Sequence, residues 1–299
     1  MFLNNLHFLI KIQSRLFICQ LLSLIHILQI MNLNYIFSKL WKDYSGQNPS
    51  AERIHALFTS RGEAVINDHI AFRTFNDPRI SLDVLARIFT NRGYRATGEY
   101  HFPEKKLYAR HYEFPGDPFA PRIFISELLV DKFPDKLREN VSSAITHISG
   151  DALRSDEIIF NGGIFGIPSF EIYESLRSES EYAAWVYAFG FRANHFTVSV
   201  NHLRSLNGIE EVNDLLKTNG FVLNSSGGEV KGSEKELLKQ SSTLADIVDH
   251  RFREGIKQIP LCYYEFAERF RDENGKLFSG FIAGSADKIF ESTDFRKKE

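Results

Sequence analysis

Two histidines and a glutamate carry the first chemical signal. His69 lies in "DHIAFRTF", His195 in "NHFTVSV" and Glu265 in "LCYYEFAERF", three stretches with the alternating apolar texture of β-strands. Two imidazoles and one carboxylate are the donor set that holds a divalent transition metal and leaves coordination positions open. Iron, manganese, zinc, nickel and cobalt all accept it. A single histidine in a strand is usually a hydrogen-bonded core or surface residue, and His101, His111, His202 and His250 deserve that reading. A glutamate in an apolar strand is costly to bury unless it is paired or binds metal. The rival carboxylate is Glu127 in "RIFISELLV", a comparable late strand, where it could be a fourth ligand or a partner to one. Gln240 in "KQSST" has no assigned role beyond supporting a ligand or anchoring a loop.

An internal repeat raises His69 and His195 above the other histidines. "DHIAFRTFNDPRISLDVLARIFTNRGYRATG" and "NHFTVSVNHLRSLNGIEEVNDLLKTNGFVLNSSG" each open with Asp or Asn, then His, then an alternating strand. Each continues into a helix-period stretch, Leu82, Leu85, Ile88 and Phe89 in the first and Ile209, Val212, Leu215 and Leu216 in the second. Each helix ends at a glycine before an aromatic, Gly93-Tyr94 and Gly220-Phe221, as expected of a C′ residue that must accept positive φ.

Three strands are predicted after each helix. In the first unit they are "RATGEYHF", "KLYARHYEFP" and "RIFISELLV". In the second they are "FVLNSS", "LCYYEFAERF" and "LFSGFIAG", with a polar helical segment around "SEKELLKQSSTLADIVDHRF". The expected fold class is α+β, two pseudo-symmetric βαβββ units forming a curved mixed sheet around a metal site. Unit one spans about 65–130 and unit two about 194–292. A helical insertion of about 133–193 separates them, with helices near 135–148 and 169–187 and a "FNGGIFGIP" turn.

Strand alternation gives the faces. His69, Ala71 and Arg73 share one face of the first strand. His195, Thr197 and Ser199 share one face of the second, and Tyr263, Glu265 and Ala267 one face of the late strand, with Glu268 opposite. Arg73 is four positions from His69, roughly 13 Å along the strand. Either it makes a structural salt bridge or its guanidinium clamps a substrate carboxylate through two parallel hydrogen bonds. Ser199 stands at the matching place in the second unit, so the symmetry breaks where a substrate would need a direction.

Composition removes several classes. A formal net charge of −2 leaves no basic field for nucleic acid. Two cysteines, Cys19 and Cys262, give neither a disulfide framework nor zinc spacing, so a reducing cytoplasm is the expected setting. Residues 1–30 differ from the rest: they carry no acidic residue, and Lys11 and Arg15 precede an apolar run that is short for a membrane span and interrupted by Gln20, His26 and Gln29. They are expected to be an extension outside the fold, with Met31 as a natural start and residues 31–299 as a single catalytic domain.

"DHIAFRTF", "LLKQSSTLAD", "IPLCYYEFAERF" and "GFIAGSADKIFESTDF" resemble the 2-oxoadipate dioxygenase/decarboxylase family, of vicinal oxygen chelate type, over about residues 33–295. The resemblance implies a non-haem Fe(II) enzyme of lysine breakdown that converts 2-oxoadipate and O2 to 2-hydroxyglutarate and CO2. It puts the metal ligands on His69, His195 and Glu265, a catalytic and substrate-binding role on Arg73, and a substrate contact on Ser285. The implied partners are a 2-oxo dicarboxylic acid and O2, with neither nucleic acid nor membrane. Two other classes remain open: a metal-dependent isomerase or lyase on the same fold, and a non-catalytic small-molecule binding module.

Overall fold

The computed structural model describes residues 32–293, so the expectation for residues 1–30 lies outside the described residues. The described chain opens with helices α1 (32–47) and α2 (Pro49–Ser60), then runs through β1 (Asn67–Phe75), α3 (Leu82–Thr90), β2 (Arg95–Phe102), β3 (Leu107–Glu113) and β4 (Arg122–Leu128). Helices α4 (Asp135–Thr146), α5 (Gly150–Arg154), α6 (Phe170–Glu179) and α7 (Glu181–Phe189) follow. The second unit is β5 (Ala193–Ser199), α8 (Ile209–Thr218), β6 (Lys231–Ser233), β7 (Leu238–Ser242), β8 (Ile247–Phe252), β9 (Gly255–Pro260), β10 (Glu265–Arg269) and α9 (Ala283–Phe290).

Eight strands form one mixed sheet in the order β2-β3-β4-β1-β5-β10-β7-β6. The order is a palindrome of the two units. β1 and β5 are antiparallel at the centre, each flanked on its outer side by a parallel partner, β4 or β10. One face carries the apolar members of the alternation and is covered by helices. Phe72 packs on Phe89 of α3, Phe196 on Trp41 and Tyr44 of α1, and Phe266 on Phe58 of α2. Gly93 and Gly220 do end α3 and α8 with positive φ, 100° and 79°.

The second unit departs from expectation. The segment predicted to be helical is instead β6, β7 and a separate hairpin of β8 and β9 inserted before β10. "KQSS" is poor in helix formers, and β10 needs an outer neighbour, which β7 supplies through pairs from Glu265–Ser242 to Arg269–Leu238. "FVLNSS" contributes only a bridge from Leu223 to Thr243, and "LFSGFIAG" only a bridge from Arg271 to Leu277 before α9 begins. The expected single helix near 169–187 is broken at Ser180, whose side chain accepts a hydrogen bond from the Ala183 amide and so starts α7.

The register also decides between the two carboxylates. In unit one Ala71 pairs with Phe124, and in unit two Thr197 pairs with Glu265. Phe124 is therefore the counterpart of Glu265, and Glu127 that of Glu268. Glu127 Oε2 accepts from the Leu82 amide at 2.9 Å, at the start of α3. Glu268 Oε2 accepts from the Ile209 amide at 3.1 Å, at the start of α8. Ser81 and Gly208, the residues before those helices, provide no side-chain cap, so the strand carboxylates do. Glu127 is thus a helix cap on the far face and supports no ligand. Glu127→Gln should lower stability by about 1–2 kcal/mol in urea unfolding while metal stoichiometry stays at the wild-type value. Loss of metal binding in a folded Glu127→Gln protein would contradict this placement.

Candidate metal centre

On the other face, His69, His195 and Glu265 come together, all buried. β1 and β5 bring the histidines opposite each other, because Ala71 pairs with His195 and His69 with Thr197, and β10 adds Glu265 beside Thr197. His69 Nε2 is 3.4 Å from His195 Nε2 and 3.6 Å from Glu265 Oε1, and His195 Nε2 is 3.1 Å from Glu265 Oε2. With bonds of about 2.1 Å, neighbouring donors around one ion are about 3.0 Å apart in octahedral and about 3.4 Å apart in tetrahedral geometry. The three donors therefore fit a single divalent transition metal. Among the described residues this is the one group of His, Cys, Asp and Glu so arranged.

Each histidine is oriented by the residue before it. His69 Nδ1 lies 2.8 Å from Asp68 Oδ1, and His195 Nδ1 lies 3.0 Å from Asn194 Oδ1. Both side-chain oxygens accept, so both rings carry the Nδ1 proton and aim an Nε2 lone pair at the site. Glu265 Oε1 accepts from Gln240 Nε2 at 2.6 Å, which gives Gln240 its role as a partner to a ligand. The Thr197 hydroxyl lies 3.0 Å from His69 Nε2.

Burial sets the electrostatics. Burial pushes the Glu265 carboxyl up to about 8, with Gln240 opposing. It lowers the pKa of His69 and, with the neighbouring His69 and Arg73, takes His195 well below its ordinary value. Neutral imidazoles and a carboxylate unsatisfied by water are what a bound cation requires. Asp68 behaves oppositely. Burial alone would raise it, but the Arg269 guanidinium holds it well below the usual carboxylate range, helped by His69 and Arg122.

The space before the three donors holds about 20 Å³ and is walled by Phe124, Phe281, Ile289 and Phe290. Phe290 also lines a larger cleft of about 300 Å³, and Arg73 lies there with Tyr182 and Thr293. The Arg73 guanidinium is enclosed by Tyr182, Trp185 and Phe290, 5.1, 5.2 and 5.6 Å from their ring centres. Among the described residues no carboxylate pairs with it, and its hydrogen bond is a long one of 3.4 Å to the Thr293 hydroxyl. A structural salt bridge is therefore not its role. Ser285 is elsewhere: on α9, one turn before Ile289, its hydroxyl packs near Gly232 and lines neither space.

A family model described as 2-oxoadipate dioxygenase/decarboxylase matches residues 37–155 and 165–276. The chain belongs to that family. A rice (Oryza sativa subsp. japonica) member, the chloroplastic/amyloplastic 2-oxoadipate dioxygenase/decarboxylase, is 38% identical over 86% of this chain and 78% of its own length. The crystal structure of rice hydroxyglutarate synthase in complex with 2-oxoadipate superposes with a TM-score of 0.82 at 36% identity, covering 88% of this chain and 92% of that one. A structure from Shewanella frigidimarina, described as a hydrolase, is 49% identical with a TM-score of 0.80, covering 84% and 98%. The α+β fold and the family are thereby established.

Sequence reasoning missed Arg269, Arg122 and the aromatic enclosure of Arg73. The Asp or Asn before each histidine was a visible signal for the orienting pair. Replacing Asp68 by Ala should weaken metal affinity about 10–100-fold, read by metal analysis after dialysis of folded protein. Wild-type affinity in that variant would mean Asp68 serves Arg269 alone.

Proposed function

We propose that this protein is an Fe(II)-dependent dioxygenase that decarboxylates 2-oxoadipate, with His69, His195 and Glu265 holding the metal and Arg73 the distal carboxylate. The reaction is 2-oxoadipate plus O2 giving 2-hydroxyglutarate plus CO2. The carrying observation is the pairing of a three-donor site with a buried cation that has no carboxylate partner, on opposite sides of Phe290. Family membership and the rice structure with 2-oxoadipate support the same substrate.

Iron held there would supply open coordination positions and the one-electron chemistry that oxygen requires. The protein's own part is geometric. Asp68 and Asn194 fix the imidazole tautomers, and Gln240 orients the Glu265 carboxylate. The phenylalanine wall keeps bulk water out. A space of about 20 Å³ is too small for a six-carbon diacid, so Phe290 must turn aside to join it to the Arg73 cleft. The donation of two parallel hydrogen bonds by Arg73 would then set the substrate's direction.

A role for Ser285 as a substrate contact rests on the family resemblance. The proposal extends to one catalytic domain over residues 31–299 and to lysine breakdown in a reducing cytoplasm. Buried, unpaired Cys262 fits a reducing setting, while the rice relative is named chloroplastic. No helix among the described residues is long and apolar enough to cross a membrane.

Anaerobic reconstitution with Fe(II), followed by O2 uptake and CO2 release across 2-oxo acids of different length, tests the reading. Uptake matched by CO2 release with 2-oxoadipate is expected, and no uptake with any acid would overturn it. Arg73→Lys keeps the charge but loses the fork. It should raise KM for 2-oxoadipate by about 10–100-fold, far more than for 2-oxohexanoate. Equal effects on both acids would remove the clamp.

A further inference from the structure

Tyr263 has a polar group that the metal site does not use. Its side chain is fully buried, two residues before Glu265, and its ring stacks on His195 with centroids 4.7 Å apart at 26°. The stack accounts for the ring. It leaves the hydroxyl proton unexplained, because no acceptor among the described residues meets it. The Arg73 guanidinium lies beside that hydroxyl, and Arg73 Nε is likewise buried without an acceptor. Two adjacent donors thus lack an acceptor, and both atoms are buried. Buried donors of native proteins are nearly always satisfied, and an unpaired one beside a site calls for an explanation such as a bound group.

We infer that the Tyr263 hydroxyl and the Arg73 guanidinium together bind the distal carboxylate of the substrate, making Tyr263 a second determinant of specificity for 2-oxo diacids. The inference rests on the substrate class proposed above. A carboxylate, with two oxygens and a negative charge, satisfies a neutral phenol, which donates one hydrogen bond, and a cationic fork at once. The placement also measures length. One end of the tyrosine ring lies against a metal ligand and its hydroxyl reaches the clamp. The distance from metal donors to carboxylate pocket is therefore set by a rigid group. A diacid one methylene shorter would leave both donors unmatched, the kind of loss that discriminates strongly between substrates.

Tyr263→Phe is the test, since it keeps the ring, its volume and the stack on His195 while removing only the hydroxyl. In the Fe(II)-loaded enzyme KM for 2-oxoadipate should rise about tenfold, with a smaller change in kcat. KM for 2-oxohexanoate, which lacks the second carboxylate, should change much less, and iron content should match wild type. A second arm avoids turnover. Calorimetry on the metal-free protein should find adipate bound about tenfold more weakly by the variant than by wild type, with hexanoate a poor ligand of both. Equal KM changes for the two 2-oxo acids, a fall in kcat with both, or unaltered adipate binding would each overturn the assignment. If the wild-type enzyme consumed no oxygen with any 2-oxo acid, the proposed reaction would fail, yet the adipate arm would still judge Tyr263.

Discussion

The buried Asp68 carboxylate is the hub on which the metal centre depends. It receives the Nδ1 proton of His69 at 2.8 Å, and the Arg269 guanidinium grips it through Nε at 2.6 Å and Nη2 at 2.8 Å. Arg122 adds a longer contact of 3.4 Å. Such a group is costly to bury alone and strongly held once paired on all sides. Arg269 also donates to the carbonyls of Gly280, at 2.7 Å, and Phe278, at 3.2 Å. The same guanidinium thus fixes, through Asp68, the orientation of His69 and also the segment leading into Phe281, whose ring meets His69 edge-on at 4.8 Å. Ligand orientation and the roof over the site share one anchor.

Pseudo-symmetry explains the rest of the centre, and its breaks explain why there is one centre. Each unit supplies an Asx–His pair at the middle of the sheet and a carboxylate that caps its own helix. Only the second unit places a carboxylate at the inward position, Glu265, where the first has Phe124. One side of the site therefore presents a carboxylate and the other an apolar ring. Arg73 and Ser199 differ in the same sense, and the buried guanidinium stands on one side only.

The helices between the units complete that asymmetry. α7 is apolar all round and buried, and its Tyr182 and Trp185 wall the Arg73 guanidinium. The Tyr182 hydroxyl accepts from the Thr74 amide at 3.1 Å, beyond the point where β5 stops pairing with β1. The insertion thus satisfies the end of β1 and encloses its cation.

The sequence alone determined the repeat, the strand faces and the three donors, because alternation and helical period are local and were written twice. It also marked Arg73 as asymmetric. It misread 233–252 as helical, because what makes Gln240 a strand residue is pairing with β10, a partner distant in the chain. It left Glu127 competing with Glu265, since composition and strand position are alike and only the register across β1 and β5 separates them. The division of the site by Phe290, the grip of Arg269 on Asp68 and the unsatisfied hydroxyl of Tyr263 were decided by the tertiary structure. Each depends on side chains far apart in sequence meeting where water is absent, and no local pattern encodes that meeting.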